Sequence, residues 1–209
     1  MSASTPNLAK RLVIYSIAMG CGAIVMAFEI LGSRVLAPDF GSTIFVWGSL
    51  ISVFLSGLAA GYYIGGQVSD RIRSFALLSL LIFIPGVMMM TFPLYGPRIA
   101  AGLFDLNLGP RLGPLFASVA LFLVPTVFLG TVTPYTVRLL VGSEERVGRG
   151  IGNITALSTC GSIAGTLGTS FFLILWMGTR QCLVMLGAAL IILSMLAAAY
   201  HIVEKGKKP

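Results

Sequence analysis

Six long apolar runs constrain the fold of this chain more than any other feature of its sequence. Each is long enough to cross a hydrocarbon core as an α-helix, which needs about 20 apolar residues. The runs cover approximately residues 12–37, 44–67, 74–95, 113–140, 151–176 and 181–202. The sequence therefore predicts an all-α integral membrane bundle of about six transmembrane helices.

Composition agrees with this interpretation. Of the 209 residues, 56% are hydrophobic and only 10% are charged, whereas a soluble domain is about a quarter charged. The net charge of +7 does not indicate nucleic-acid binding, because the charges lie in short segments between apolar runs. Three cysteines without a CxxC pair and a single histidine predict no metal site and no cofactor.

The predicted domain organisation is simple. A transmembrane domain spans residues 12–202, between an N-terminal tail of residues 1–11 and a basic tail of residues 203–209. Prolines and glycines at both ends of Tyr95–Arg111 predict an interfacial loop in that segment, with room for a short amphipathic helix.

Lysine and arginine set the predicted orientation, because cytoplasmic loops carry an excess of them. With both termini inside, ten of the fourteen basic residues are cytoplasmic, and the four outside are Arg34, Arg98, Arg111 and Arg180. This predicts a multi-pass protein of the bacterial inner membrane, with both termini in the cytoplasm and the lipid bilayer as its first partner.

The second and fifth helices share a pattern of small residues. Gly57, Gly61 and Gly65 recur at four-residue spacing in the second, as do Gly161 and Gly165 in the fifth. Small residues at this spacing line one helix face and allow helix backbones to approach closely, so we assign these glycines to helix packing. Three helices followed by three related helices would form an inverted repeat, as in half of a major facilitator transporter, with sites at the repeat interface.

Glu29 is the only acidic residue well inside an apolar run, and an intramembrane carboxylate is a functional candidate because it is costly to bury. A structural pair with a basic or hydroxyl group on another helix is an equal alternative. Arg34, near the outer end of the same helix, is expected to extend towards the interface. Thr133 and Asn153 complete the set of intramembrane polar candidates.

The fourth helix contains Pro125 and Pro134, each of which removes an intrahelical hydrogen bond. Thr126, Thr131 and Thr133 are placed to bond the carbonyl groups that the prolines free. A broken helix would indicate a binding site, whereas a simple kink that fits its neighbours is the more common outcome.

The segment after the second helix, GGQVSDRIR, resembles the G-x-x-x-D-R-x-x-R signature of the major facilitator superfamily. Its matching residues are Gly66, Asp70, Arg71 and Arg73. The resemblance implies a gating role, in which the acid accepts hydrogen bonds at a neighbouring helix end and the arginine joins a charge network.

Nearly the whole chain resembles the transmembrane module of membrane-bound spermidine synthase-like proteins, the fused transporter-like/spermidine synthase family. Three elements carry the resemblance: an E-x-x-x-x-R pattern in the first helix, a G-T-x-x-P element in the fourth and a G-x-x-x-N-x-x-x-x-x-G element in the fifth. Here they correspond to Glu29 and Arg34, to Gly130, Thr131 and Pro134, and to Asn153 and Gly161.

The resemblance implies that an aminopropyltransferase domain would be a separate protein, since fused members carry it after the last helix and this sequence ends at HIVEKGKKP. We therefore expect no catalytic residues in this chain. Three hypotheses remain open. The first is a membrane subunit that anchors or serves a cytoplasmic spermidine synthase-like partner in polyamine-related metabolism. The second is a half-size transporter of a small, cationic solute that works with a second copy of itself. The third is a structural subunit of a larger membrane complex.

Overall fold

The computed structural model describes residues 8–141 and 147–206, and six helical spans in these ranges are long and apolar enough to cross a membrane. The predicted all-α membrane bundle of about six helices is therefore confirmed. A π-helical turn, Thr169–Leu173, here called the π segment, joins α5 to α6, so these three elements form one fifth span. The α-helices are α1 (Leu8–Phe40), α2 (Ile44–Arg71), α3 (Phe75–Asp105), α4 (Gly109–Leu140), α5 (Val147–Gly168), α6 (Ile174–Trp176) and α7 (Thr179–Gly206).

Several spans are longer than their apolar runs. The helix α1 begins at Leu8 and α7 continues to Gly206, so the predicted tails 1–11 and 203–209 are partly helical. Residues 1–7 and 207–209 lie outside the described residues. Charged residues at a helix end can remain helical beyond the hydrocarbon core, which apolar runs alone do not predict.

The predicted interfacial loop at 95–111 is wrong. The helix α3 continues through Pro97 to Asp105, and α4 starts at Gly109. Proline is tolerated in membrane helices because neighbouring groups can satisfy the freed backbone. The turn instead uses Asn107 and Gly109, which adopt positive φ angles of 52° and 79°.

Non-consecutive helices make the closest contacts in the bundle. The helix α2 lies parallel to α4, α1 lies parallel to α5, and α3 lies antiparallel to α7. We call the end where α1 starts and α7 finishes the terminal end, and the opposite end the far end.

This pairing has the pattern of an internal two-fold axis. Exchanging α1 with α4, α2 with the fifth span, and α3 with α7 converts the α1–α5 pair into the α4–α2 pair and leaves the α3–α7 pair unchanged. At the α3–α7 crossing, a Cβ atom on Gly187 would lie 2.7 Å from the carbonyl oxygen of Gly86. The arrangement agrees with the hypothesis of a three-plus-three inverted repeat.

Glycine makes the two parallel pairs possible. A Cβ atom on Gly61 would lie 2.7 Å from the Cα atom of Gly130 on α4, and one on Gly165 would lie 2.7 Å from the Cα atom of Ala23 on α1. Gly57, Gly65 and Gly161 lie at equally close contacts along the same faces. Any larger side chain at these positions would push the two backbones apart.

An aromatic cluster fills the centre of the bundle. The buried ring of Phe28 on α1 contacts Phe54 of α2, Phe92 of α3 and Phe122 of α4, with centroid distances of 5.5, 6.0 and 5.2 Å. The rings meet edge to face, which is the favoured geometry for aromatic pairs. Four helices therefore converge on the residue next to Glu29.

We expect Gly61→Leu to destabilise the bundle by about 2 kcal/mol or more, because the new side chain must separate α2 from α4. The matched control is Gly66→Leu, since a Cβ placed on Gly66 meets nothing within 4 Å beyond its chain neighbours and the backbone of its own helix. Thermal unfolding in detergent measures the difference. Equal melting temperatures for the two variants would show that the close contact does not support the fold.

Candidate functional site

Glu29 lies on α1 and is half-buried. Within residues 8–141 and 147–206, its carboxylate makes no hydrogen bond. It also makes no ion pair, since the single ion pair in these ranges joins Asp70 to Arg138. A carboxylate inside a membrane domain is costly unless a cation, a proton or a polar group compensates its charge. The structural pair that we considered for Glu29 is therefore not present among the described residues.

The π segment lies at the level of Glu29. Gly161 packs against Met19, and Gly165 packs against Ala23, so α1 and α5 run side by side in a constant register. Continuing this register brings the π segment beside residues 27–31 of α1, in agreement with the contact between the π segment and α1. Glu29 is in the middle of that stretch.

A π-helical turn changes the backbone chemistry at this level. The backbone N–H of Ile174 donates to the carbonyl oxygen of Thr169, five residues earlier, so the regular α-helical pattern of hydrogen bonds is interrupted. Such turns occur frequently at functional sites. This turn could not be predicted from the sequence, because TSFFL contains neither proline nor glycine to indicate it.

The fourth span is continuous, so the broken-helix interpretation of Pro125 and Pro134 is wrong. The hydroxyl groups of Thr126 and Thr131 donate to the carbonyl oxygens of Phe122 and Phe128, at 2.7 and 2.6 Å. These are not the carbonyl groups that the prolines free, which lie four residues before each proline. The threonines thus bond within the helix, but they do not have the role that we expected.

The four polar candidates do not form one site. Phe28 contacts Phe122 of α4, so Phe122 marks the level of Glu29 on that helix. Thr133 lies eleven residues after Phe122, or roughly 16 Å along the helix. Asn153 is exposed. It lies twelve residues before Gly165 and is therefore roughly 18 Å nearer the terminal end than Gly165. Arg34 is exposed near the far end of α1, as expected of a residue that extends to the interface.

The gating signature lies at the terminal end. The Nε atom of Arg138 on α4 is 3.0 Å from Oδ1 of Asp70 on α2, with side chains 41% and 67% exposed. Arg71 and Arg73 are exposed, and Gly66 has open space at its Cβ position. The partner of the acid is therefore an arginine of α4, and so exposed an ion pair contributes at most about 1 kcal/mol.

Tyr135 holds the same region more firmly. Its side chain is fully buried, and its hydroxyl group donates to the carbonyl oxygen of Ile72 at 2.6 Å. The hydroxyl oxygen of Tyr135 in turn accepts from the backbone N–H of Ser74 at 3.2 Å. These hydrogen bonds connect the α2–α3 link to α4. The sequence gives no signal of this role beyond the position of Tyr135 near the end of the helix.

The chemical group that this arrangement offers to a cation within the membrane domain is the half-buried carboxylate of Glu29. Within the residues that the structure describes, no group of three His, Cys, Asp or Glu side chains could hold a metal ion. Comparison with known proteins provides no relative, since no family model, no curated protein and no solved structure matches this chain.

Proposed function

We propose that this chain is half of a transporter for a small, cationic solute, and that two copies form the working unit. The observation that supports this most is the half-buried carboxylate of Glu29, which lies beside an interrupted helix and has no cation among the described residues. One carboxylate balances one positive charge. Two copies would supply two, which matches a diamine or another dication.

The helix pairing supports an oligomer. The fifth span is held by α1 and has little other cover, since only 11% of its most apolar stretch is buried, against 39–56% in the other spans. Its outward face carries small residues at four-residue spacing, and so does the outward face of α2. These two exposed stripes are Gly48, Ser52, Ser56 and Ala60 on α2, and Gly152, Ala156, Cys160 and Ala164 on α5.

Small residues facing lipid gain little there, but they let a second helix approach closely. Each member of the α5 stripe lies 104 residues after a member of the α2 stripe, as 152 follows 48 and 164 follows 60. The stripes are therefore equivalent under the internal two-fold pattern. A second copy, rotated about the membrane normal, would lay its α5 stripe antiparallel on the α2 stripe of the first.

We expect Ala60→Cys to form a disulfide-linked dimer in membranes with the native Cys160 of a second copy. Both positions are exposed and lie within about three residues of the middle of their spans, on the terminal side, so they share one depth. Oxidation followed by non-reducing electrophoresis detects the dimer, and adding Cys160→Ser should abolish it.

The matched control is Met195→Cys, at the same depth on α7 and 63% exposed. The Met195→Cys variant should remain monomeric after oxidation. Equal cross-linking from Met195→Cys, or none from Ala60→Cys, would contradict the α2–α5 interface.

We expect Glu29→Gln to lower the uptake of a radiolabelled diamine into proteoliposomes at least tenfold, because the amide cannot balance the charge of the solute. Glu29→Asp should keep part of the activity. Asp105→Asn, an exposed acid at the far end, should transport at the wild-type rate. Wild-type uptake by folded Glu29→Gln protein would remove Glu29 from the mechanism.

A second candidate function is an anchor for a cytoplasmic spermidine synthase-like protein, as the resemblance implies. Its support is the charge of the terminal end. Seven basic residues in the described ranges lie there and four lie at the far end, which also favours a cytoplasmic terminal end in a bacterial inner membrane.

For the anchor, we expect co-purification with such a soluble protein and its loss in Arg71→Glu/Arg149→Glu, because both side chains are exposed at the terminal end. The matched control reverses two exposed far-end charges, Arg98 and Arg180. If both double variants retain the partner equally, the basic surface is not the docking site. If no soluble protein co-purifies, only the transporter proposal stands.

A further inference from the structure

Three helices, α1, α3 and α7, meet around Phe75 at the terminal end. Phe75 is the first residue of α3 and is almost fully buried. Its ring lies 4.6 Å from the ring of Tyr200 on α7, between centroids. The ammonium group of Lys10 on α1 lies 5.8 Å from the centroid of the same ring. We call this meeting point the Phe75 corner.

Positive charge accumulates at the Phe75 corner. Arg11 follows Lys10, Arg73 comes two residues before Phe75, and Lys205 lies just over one turn after Tyr200. Arg11, Arg73 and Lys205 are exposed, while Lys10 is half-buried. Glu204 is the one acidic residue of the described chain in this group, so the corner keeps a clear positive excess.

The contact with Phe75 makes Lys10 different from a freely moving surface lysine. An ammonium group over an aromatic face is attracted by the quadrupole of the ring, which favours a position of the Lys10 side chain beside the start of α3. The positive end of the α3 dipole is directed to the same place, since Phe75 is its first residue. Below the corner, α3 presents exposed apolar side chains, Leu80 and Phe83.

From this combination we infer that the Phe75 corner binds the headgroup phosphate of an anionic phospholipid, with its acyl chains along the exposed face of α3. The corner lies where apolar spans give way to charged residues, which is the depth of the headgroups. Basic residues at that depth attract anionic lipids. A free phosphate would use the charges but not the apolar surface, so the occupant is a lipid.

The test is native mass spectrometry of detergent-purified protein titrated with phosphatidylglycerol or phosphatidylcholine. Wild-type protein should retain phosphatidylglycerol selectively. Lys10→Gln/Arg73→Gln should weaken this binding by roughly thirtyfold, through the loss of two charges. Arg73→Gln alone should weaken this binding roughly fivefold. Because Arg73 is exposed, the single variant still tests the proposal if the double variant misfolds.

Arg111→Gln is the matched control, because Arg111 lies 5.6 Å from the centroid of Phe45 in a similar contact at the far end. It should bind phosphatidylglycerol as the wild type does. Equal losses in Arg111→Gln, or no loss in either Arg73 variant, would overturn the proposal. Displacement of the lipid by millimolar inorganic phosphate would indicate a small-anion site instead, and displacement by polyglutamate would indicate a site for an acidic protein. Transport plays no part in this measurement, so its outcome is independent of the proposed function.

Discussion

Close backbone contact at glycine is the interaction on which the rest of this structure depends. In water, the phenylalanines around Phe28 would bring the helices together by leaving the solvent, but lipid is as apolar as they are. Helix association must therefore come from dispersion over short distances and from the few polar contacts available. Gly61 against Gly130, and Gly165 against Ala23, are two of these close backbone contacts.

These contacts also place the candidate site. The glycine contacts of α5 hold it in register with α1 as far as Gly165 and Ala23, and the regular helix ends three residues later. The π segment then follows at the level of Glu29. The same tight pairing leaves the opposite face of α5 without cover, so the packing that positions the carboxylate also exposes the stripe through which a second copy would bind.

The sequence predicted the elements of the fold better than their extent or their chemistry. Apolar length depends on local composition and correctly indicated six spans, and the glycines at four-residue spacing lie at close contacts between helices. Pro97 misled the prediction of a loop, because in a membrane helix a proline does not end the element as it would in water. Neither the role of Tyr135 nor the π segment could be predicted, because both depend on tertiary contacts. The first is a hydrogen bond between α4 and the α2–α3 link, and the second is a shift of hydrogen-bond register inside TSFFL.

The parallel pairing of α1 with α5 also determines when this bundle can form. Met19 packs against Gly161, which is synthesised 142 residues later in the chain. At about 5–20 residues per second, synthesis of that stretch takes roughly 7–28 s. Throughout this period, the face of α1 that α5 will cover is open to lipid or to an insertion factor. The helix α1 therefore acquires this packing partner only after α2, α3 and α4 have been synthesised.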